Sequence, residues 1–449
     1  MIGLVSVVVL LIALFIIIWN DFGRPSIGIA KIKVQPTSIH VSENEQPSFF
    51  TDALYLVEII EDTHPIFIID GMLTDDYEEI RDEFLTYAQG DINRSDFVFE
   101  AGRYITTLQD GHMNWALGIA EIHKGFLDIS WVVQDGQLFL LDSEGKLTDI
   151  EVLELGGIPV AQVFETIDTY MFAENEIDRQ YNHEAFSQLA GIIERAGGDV
   201  KRHYVPITLT EAGVVTKQEI SLSSMWRDSK FHYRGGIVNY EIKDNIFFID
   251  LPEFTDGDHI TEVTLAIEQA IDDGIREFII DLRGNGGGVS MVGQRLLEAM
   301  GITLPSYGGL QRVSHLASTH VELLSTLNWL GIDYISYKPN VSTASNPNDV
   351  FVSVLTDSNT YSSATMMGAW VQDGNLGHIV GTPSRNAVTS FGNILTTKLP
   401  YTGLELRISF TQWLRPDTEA NPNILMPDIL IDPTDDALKV ALEYFKNAK

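Results

Sequence analysis

The chain has 449 residues, of which 45% are hydrophobic and 10% aromatic, so it can form packed cores and is too long for a single one. It carries 29 Lys and Arg against 63 Asp and Glu, a formal net charge of −34, which argues against a body that binds nucleic acid or anionic lipid. It contains no cysteine, which excludes disulfides, thiolate zinc sites and a cysteine nucleophile.

The N-terminus begins with an apolar run. Residues 2–19 carry no charge and, as a helix, are long enough to cross most of a bilayer's hydrocarbon core. The run has neither the basic start nor the cleavage site of a secretory signal, which favours a retained anchor, residues 1–19, over a removed peptide. The charges beside it do not fix its orientation. Residues 20–48, with three prolines, are predicted to be a linker.

Two segments with different patterns of apolar residues follow. Residues 49–116 show apolar side chains at three- and four-residue spacing in three stretches, which predicts a helical domain with N-caps at Asp75 and Ser95. Residues 117–228 contain short alternating strands, which predicts a small β-rich module. The arrangement of a strand, a Gly turn and a helix within it resembles a PDZ-like module, and an unrelated small β domain remains the alternative.

Residues 229–449 alternate strands and helices of regular length. This pattern predicts a layered α/β domain with a largely parallel sheet. One buried strand runs into FIIDLRGNGGG, residues 278–288, where four glycines fall within five positions at a helix entrance. Converging backbone amides there would suit a phosphate or an oxyanion, but the lysine of a phosphate loop is missing. A simple tight turn is the third interpretation.

Serine and histidine residues supply a second set of candidates. Ser362 and Ser363 follow a predicted strand and open a predicted helix, at the sheet edge where α/β folds place their sites, although both could be helix caps. A nucleophilic serine needs a base, and His112 in LQDGHMNW lies on a bend. His64 in EDTHPI is the alternative, and either histidine could be structural.

The sequence resembles the carboxyl-terminal processing and tricorn-type serine peptidases, the tail-specific protease family. The resemblance is carried by motifs in the family's order: DTHP, DGH, a PDZ-like insert, DLRGNGGG, the serine helix and a late Pro-Asp pair. The resemblance spans most of residues 50–440. It implies a catalytic domain with the Clp-protease and crotonase-like fold, no metal and no cofactor. The chain would then be a serine-type peptidase, a hydrolase acting on peptides or proteins.

The resemblance also assigns site residues. Ser363 would be the nucleophile, His112 the base, and the backbone amides of Ala364 and of Gly286 or Gly287 the oxyanion hole. The processing-peptidase branch has a lysine base about 25 residues after the serine, a position that falls near Val388 here. That branch's Phe-Gly-Lys-Gly appears as Phe391-Gly392-Asn393, so a Ser-Lys pair is disfavoured.

The third member of the triad is left open among three residues. An ungapped count back from the Pro-Asp pair reaches Asn421, and Glu419 lies two positions earlier, with Asp417 more distant. Glu419 is our assignment.

The apolar run predicts a membrane-tethered protein, and the resemblance implies a peptidase whose body lies outside the cytoplasm. Two rivals remain: a catalytically inactive relative that acts as a binding or scaffold protein, and a hydrolase of esters or cell-envelope amides that uses the same triad. Substrate preference and oligomeric state do not follow from the sequence.

Overall fold

The computed structural model of the protein describes residues 26–30, 34, 46–114, 116–225, 233–433 and 435–447. The predicted anchor, residues 1–19, lies outside this part of the chain. Within it, no helix has both the length and the apolar character needed to span a membrane. Part of the predicted linker is described, and it contains a short strand, Ser26–Gly28, that pairs antiparallel with Tyr334–Ser336.

The predicted α/β domain with a largely parallel sheet is confirmed. Five of the six strands of this sheet run parallel in the order β18-β15-β14-β11-β10, and β9 pairs antiparallel at the edge. The strands are β9 Asn239–Lys243, β10 Ile246–Asp250, β11 Glu277–Asp281, β14 Phe351–Thr356, β15 Gly377–Gly381 and β18 Ile429–Leu430.

Helices cover both faces of this sheet. On one face, α7 (Asp258–Asp272), α8 (Met291–Ala299) and α11 (Ser363–Asp373) form a core with the strands, centred on side chains such as Phe247 and Val354. On the other face, the C-terminal helix α12 (Ala437–Asn447) packs on Ile279. Because both faces are covered, the central strands are continuous apolar runs rather than alternating ones.

The N-terminal helical domain forms as predicted. Its helices are α1 Phe49–Thr63, α2 Tyr77–Tyr87 and α3 Arg94–Thr106. The first helix begins at a capping box in which Ser48 and Thr51 bond each other's backbone. The N-caps of the second and third helices are Asp76 and Asn93, so the predicted caps Asp75 and Ser95 are one and two residues off.

The β-rich module is built around a seven-stranded antiparallel sheet. Its strands are β2 Phe126–Leu127, β3 Trp131–Gln134, β4 Gln137–Leu141, β5 Leu147–Leu155, β6 Ile158–Pro159, β7 Tyr204–Glu211 and β8 Val214–Ser223. Its helices are α4 Val160–Tyr170, α5 Glu176–Phe186 and α6 Ala190–Arg195.

A third sheet joins the helical domain to the α/β domain. Its five strands run in the order β1-β13-β12-β17-β16, and they are β1 Ser26–Gly28, β12 Gly308–Arg312, β13 Tyr334–Tyr337, β16 Ser390–Lys398 and β17 Glu405–Leu414. Two short helices lie beside it, α9 His315–His320 and α10 Glu322–Trp329. Its apolar side chains share one core with the helical domain and the module.

Candidate active site

Ser363 is the first residue of helix α11, at the carboxyl end of strand β14. Its side chain is buried, at 4% exposure, and its hydroxyl donates to the carbonyl of Gly288 across 2.7 Å. Ser362 caps the helix with φ 53° and ψ −122°, a backbone conformation that a residue with a Cβ rarely adopts. Strain of this kind is often found where a chain must present a reactive side chain.

The glycine-rich turn packs directly against the serine segment. A Cβ at Gly287, where φ is +95°, would lie 2.7 Å from Cβ of Ser362 and 2.9 Å from N of Ser363. Glycine is therefore required there both by the backbone conformation and by the space available. This contact brings together the two strongest motifs of the sequence, which lie about 75 positions apart along the chain.

The backbone amides proposed for the oxyanion hole differ in how free they are. The Gly287 amide donates to Oδ1 of Asn285 across 2.7 Å, and the Ala364 amide donates to the Tyr361 carbonyl across 3.1 Å. Among the described residues, the Gly286 amide and its neighbour at Gly288 donate to no acceptor. The oxyanion-hole assignment stays a prediction, and Gly286 is the predicted amide that has no other role.

His112 lies in the DGH bend, in a short 3-10 turn from Gly111 to Met113. Its Nδ1 faces two carboxylates, with Oδ1 of Asp110 and Oε1 of Glu174 each at 3.8 Å. These are ion-pair distances rather than hydrogen bonds, and neither ring nitrogen has a hydrogen-bond partner within the protein's described part. With Nδ1 turned toward the acids, Nε2 is the nitrogen left to act as a base.

The surroundings of His112 change its basicity. Burial lowers the pKa of the imidazole, but Glu174 and Asp110 outweigh burial and the opposing charge of Arg385, so that the pKa lies above its ordinary value. The ring also packs on Tyr361, with the ring centroids 4.8 Å apart. His112 is thus a buried base held between negative groups.

His64, the alternative base, has a structural environment. It is fully buried, its Nε2 lies 3.2 Å from Oδ2 of Asp110, and its Nδ1 accepts from the Ile66 amide. Its ring packs on Phe391, 4.5 Å between centroids. Because both of its nitrogens are engaged, it supports Asp110 rather than facing the cleft.

Two cavities, described here as the lobes of one cleft, adjoin at His112 and the serine segment. The first lobe, about 370 Å³, contains Ser363 and His112 and has apolar walls that include Met366 and Trp413. The second, about 740 Å³, contains His112 and the glycine turn and extends over Tyr181 and Arg385 of the opposite wall. The two lobes share His112 and Ser362, so they adjoin at the serine segment.

Arg385 organises the far wall of the second lobe. It pairs with Asp178 across 2.8 Å and lies over the rings of Tyr181 and Tyr361, at 4.1 and 4.5 Å from their centroids. Burial raises the pKa of Asp178 to about 6, although Arg385 acts in the opposite direction. Most charged and aromatic groups of this wall are therefore paired with one another.

The predicted acid Glu419 is not in this cleft wall. Its side chain is exposed and its amide donates to Asp417, while Asn421 accepts from Arg415 through its carbonyl. None of these three residues lines either lobe. Glu419 as a triad member stays a prediction, and Glu174 occupies the position beside His112.

Asp110, His112 and Glu174 each place one ligand atom within 4.8 Å of the other two, a spacing a metal ion could use. However, the other contacts of Asp110 and Glu174 show that their carboxylates already serve as hydrogen-bond acceptors. Asp110 already accepts from the His112 amide and contacts His64, and Glu174 accepts from two N–H donors. We assign no metal to this cluster.

Sequence reasoning missed Glu174 and Asn386. Glu174 lies in the MFAENE segment between two helices of the module, with no motif around it. Asn386 follows strand β15 in the GTPSRNA loop and accepts from the Ser362 amide. Only the position of that loop, at the carboxyl end of a central strand, could have drawn attention to it.

The fold, with Ser363 and His112 lining one cavity, is that of a serine peptidase of the Clp-protease and crotonase-like class. Residues 245–431 match the model of peptidase family S41, and this match supports both the resemblance to the tail-specific proteases and the assignment as a serine-type peptidase, a hydrolase. The resemblance noted in the sequence is thereby confirmed.

Solved structures show the same fold. Mature CPAF is 14% identical, with a TM-score of 0.58 over 89% of this chain and 96% of that one. Mature CPAF complexed with lactacystin is 13% identical, with a TM-score of 0.57 over 89% and 97%. The photosystem II D1 C-terminal processing protease is 12% identical over 87% and 94%, and its TM-score of 0.40 is too low to support an argument. No curated protein matches the sequence.

Proposed function

We propose that the protein cleaves peptide bonds in peptide or protein substrates through an acyl-enzyme, with Ser363 as nucleophile and His112 as general base. The observation that carries the proposal is the shared cavity. Ser363 and His112 line the same lobe, and Nε2 of His112 is the ring nitrogen not facing the carboxylates.

In the first step, the hydroxyl of Ser363 turns from the Gly288 carbonyl toward His112, a rotation about one side-chain bond. Nε2 takes the hydroxyl proton while Oγ bonds to the substrate carbonyl carbon. His112 then gives that proton to the leaving amine as the C–N bond breaks. Water, deprotonated by His112, cleaves the acyl ester, and the proton returns to Ser363.

Charge on the substrate oxygen needs donors in the transition state. The Gly286 amide, for which no described residue is an acceptor, supports the glycine turn in this role, and the Ala364 amide at the start of helix α11 can join it by leaving the Tyr361 carbonyl. Loss of one such donor typically costs about 10²–10³ in rate.

The test is hydrolysis by purified full-length protein in detergent, with a library of labelled peptides beside panels of simple esters and cell-envelope amides. We expect peptide turnover that falls to background in Ser363→Ala and by at least about 10³-fold in His112→Ala. Ser362→Ala is the matched control because the hydrogen bond from Ser362 to Asn386 is donated by the backbone amide and not by the hydroxyl. It should retain most activity.

The rivals predict other results. A hydrolase of esters or envelope amides would turn over those panels and leave the peptide library intact. A scaffold protein would ignore every panel while remaining folded. Either result would contradict peptide cleavage.

We also propose that residues 1–19 anchor the protein in a membrane and that its body lies outside the cytoplasm. The support is the uncharged apolar run in the sequence together with the family resemblance. Fractionation followed by protease treatment of intact cells tests it. The body should be membrane-bound and digested from outside, and a body protected until the cells are lysed would contradict it.

A further inference from the structure

Glu174 connects the base to the nucleophile segment, although it belongs to the β-rich module. It lies between helices α4 and α5, its side chain is 4% exposed, and its Oε1 is 3.8 Å from Nδ1 of His112. A carboxylate buried this deeply remains charged only if other groups stabilise it.

The second oxygen of Glu174 is held by the catalytic domain. Oε2 accepts from Nδ2 of Asn386 and from the Ala387 amide, each across 2.6 Å. Oδ1 of Asn386 in turn accepts from the Ser362 amide across 2.7 Å. One continuous set of contacts therefore runs from His112 through Glu174 and Asn386 to the residue before the nucleophile.

Gly111 makes this approach possible. A Cβ at that position would lie 2.8 Å from both Cγ and Oε1 of Glu174. The glycine of the DGH bend thus leaves the space that the Glu174 carboxylate fills.

The other carboxylate beside His112 has a different task. Asp110 accepts from the His112 amide across 2.9 Å and lies 3.2 Å from His64, so it fixes the bend. The remaining groups that face His112 are Arg385, whose charge opposes protonation of the imidazole, and the ring of Tyr361. The oxygen of Asp110 that faces the ring already accepts from the His112 amide, whereas among the described residues Oε1 of Glu174 accepts no hydrogen bond and is free to bond Nδ1.

We propose that Glu174 is the positioning acid of the site: it orients His112 with Nδ1 protonated and stabilises the imidazolium formed when Nε2 takes the serine proton. This rests on the proposed function. It gives Glu174 the role that the sequence assigned to Glu419, and it makes the module a contributor to the catalytic site. Catalytic contacts commonly tighten when substrate binds, so a separation of 3.8 Å is compatible with this role.

The experiment follows the rate of fluorophosphonate labelling of full-length protein against pH, for wild type, Glu174→Gln, Glu174→Asp and Glu419→Gln. Glu174→Gln should label more slowly by between tenfold and ~10⁴-fold, the upper value being the loss for a fully engaged triad acid. Its acidic limb should move to lower pH because a group that favours imidazolium has been removed. Glu174→Asp should recover part of the rate, and Glu419→Gln should match wild type.

Two results overturn the proposal while the serine-histidine mechanism stands: Glu174→Gln with the wild-type rate and acidic limb, or a loss confined to Glu419→Gln. A purely structural role is also distinguishable, because it would slow labelling without moving the limb.

A second readout does not depend on catalysis. The His112 imidazole can be titrated by NMR in wild type and Glu174→Gln. Should wild type fail to label, the proposed function fails, yet a lower His112 pKa in the variant still supports Glu174 as its partner. An unchanged pKa contradicts it.

Discussion

His112 is buried, yet its pKa is raised because two carboxylates face its Nδ1. A raised pKa keeps the imidazole protonated to higher pH, and a protonated imidazole cannot accept the serine proton. The unprotonated base is therefore available only above that pKa.

We predict that kcat/KM for peptide cleavage falls as pH decreases, with an acidic limb above the usual histidine value of about 6.5. The measurement is a pH profile at low substrate concentration, with intrinsic fluorescence at each pH as a control for folding. An acidic limb below that value, in protein that stays folded, would contradict the environment described for His112.

A second prediction concerns Gly111. In Gly111→Ala the new methyl group would displace the Glu174 carboxylate, so labelling of Ser363 should slow by about tenfold or more. Gly102→Ala is the matched control, since a Cβ there meets only the Tyr170 carbonyl at 3.5 Å, an ordinary contact. Equal labelling rates in the two variants would show that the close approach at Gly111 is unimportant.

The sequence was most informative where chemistry resides in short local motifs. Ser363 and His112 could be proposed because a glycine-rich turn, a serine at a helix start and a DGH bend are each visible within a few residues. Glu174 could not be proposed from the sequence. Its contacts are with His112, more than 60 positions away along the chain, and with Asn386, more than 200 positions away. No local pattern encodes such contacts.

At the scale of elements, a buried carboxylate fastens helix α1 to the turn between β16 and β17. Asp52 is fully buried and accepts from the amides of Tyr401 and Thr402 and from the Thr402 hydroxyl, across 2.7, 2.9 and 2.6 Å. Charged hydrogen bonds of this kind are among the stronger ones in proteins.

We predict that Asp52→Ala lowers the free energy of unfolding by about 2–4 kcal/mol, because three donors lose a buried acceptor. Urea denaturation measures it. Glu58→Ala, on the exposed side of the same helix, should change stability by no more than about 0.5 kcal/mol. A similar small effect for Asp52→Ala would mean that water replaces the carboxylate.

Elements with strong periodicity were predicted well, and their ends less so. The three N-terminal helices and the strand-helix alternation of the α/β domain appear in the structure, but two helices have Asp76 and Asn93 as N-caps instead of the predicted residues. Strand β1 was hidden inside the predicted linker, because three residues at a sheet edge carry no readable alternation.

At the scale of the whole molecule, two large cores do not coincide with the segments predicted from sequence. One belongs to the parallel sheet and its helices. The other combines the helical domain, the module and strands β16 and β17, which lie within residues 229–449. The boundaries proposed from the sequence stay predictions, and the shared core indicates that the last segment depends on the others.

We predict that the fragment 229–449 alone does not reach a stable fold, since side chains such as Phe391, Leu406 and Phe410 would lose the core they share with the helices. The fragment should be compared with the full chain by urea unfolding and by binding of a dye that reports exposed apolar surface. A fragment that unfolds cooperatively at the same urea midpoint would show that the cores are independent.

The central claim is that Ser363 is the nucleophile and His112 its base. Its most direct test is to label full-length protein with a fluorophosphonate and to locate the modified residue by mass spectrometry. We predict a single adduct on Ser363 that is absent in Ser363→Ala, greatly slowed in His112→Ala and retained in Ser362→Ala. An adduct on another residue, or none on folded wild-type protein, would contradict the account.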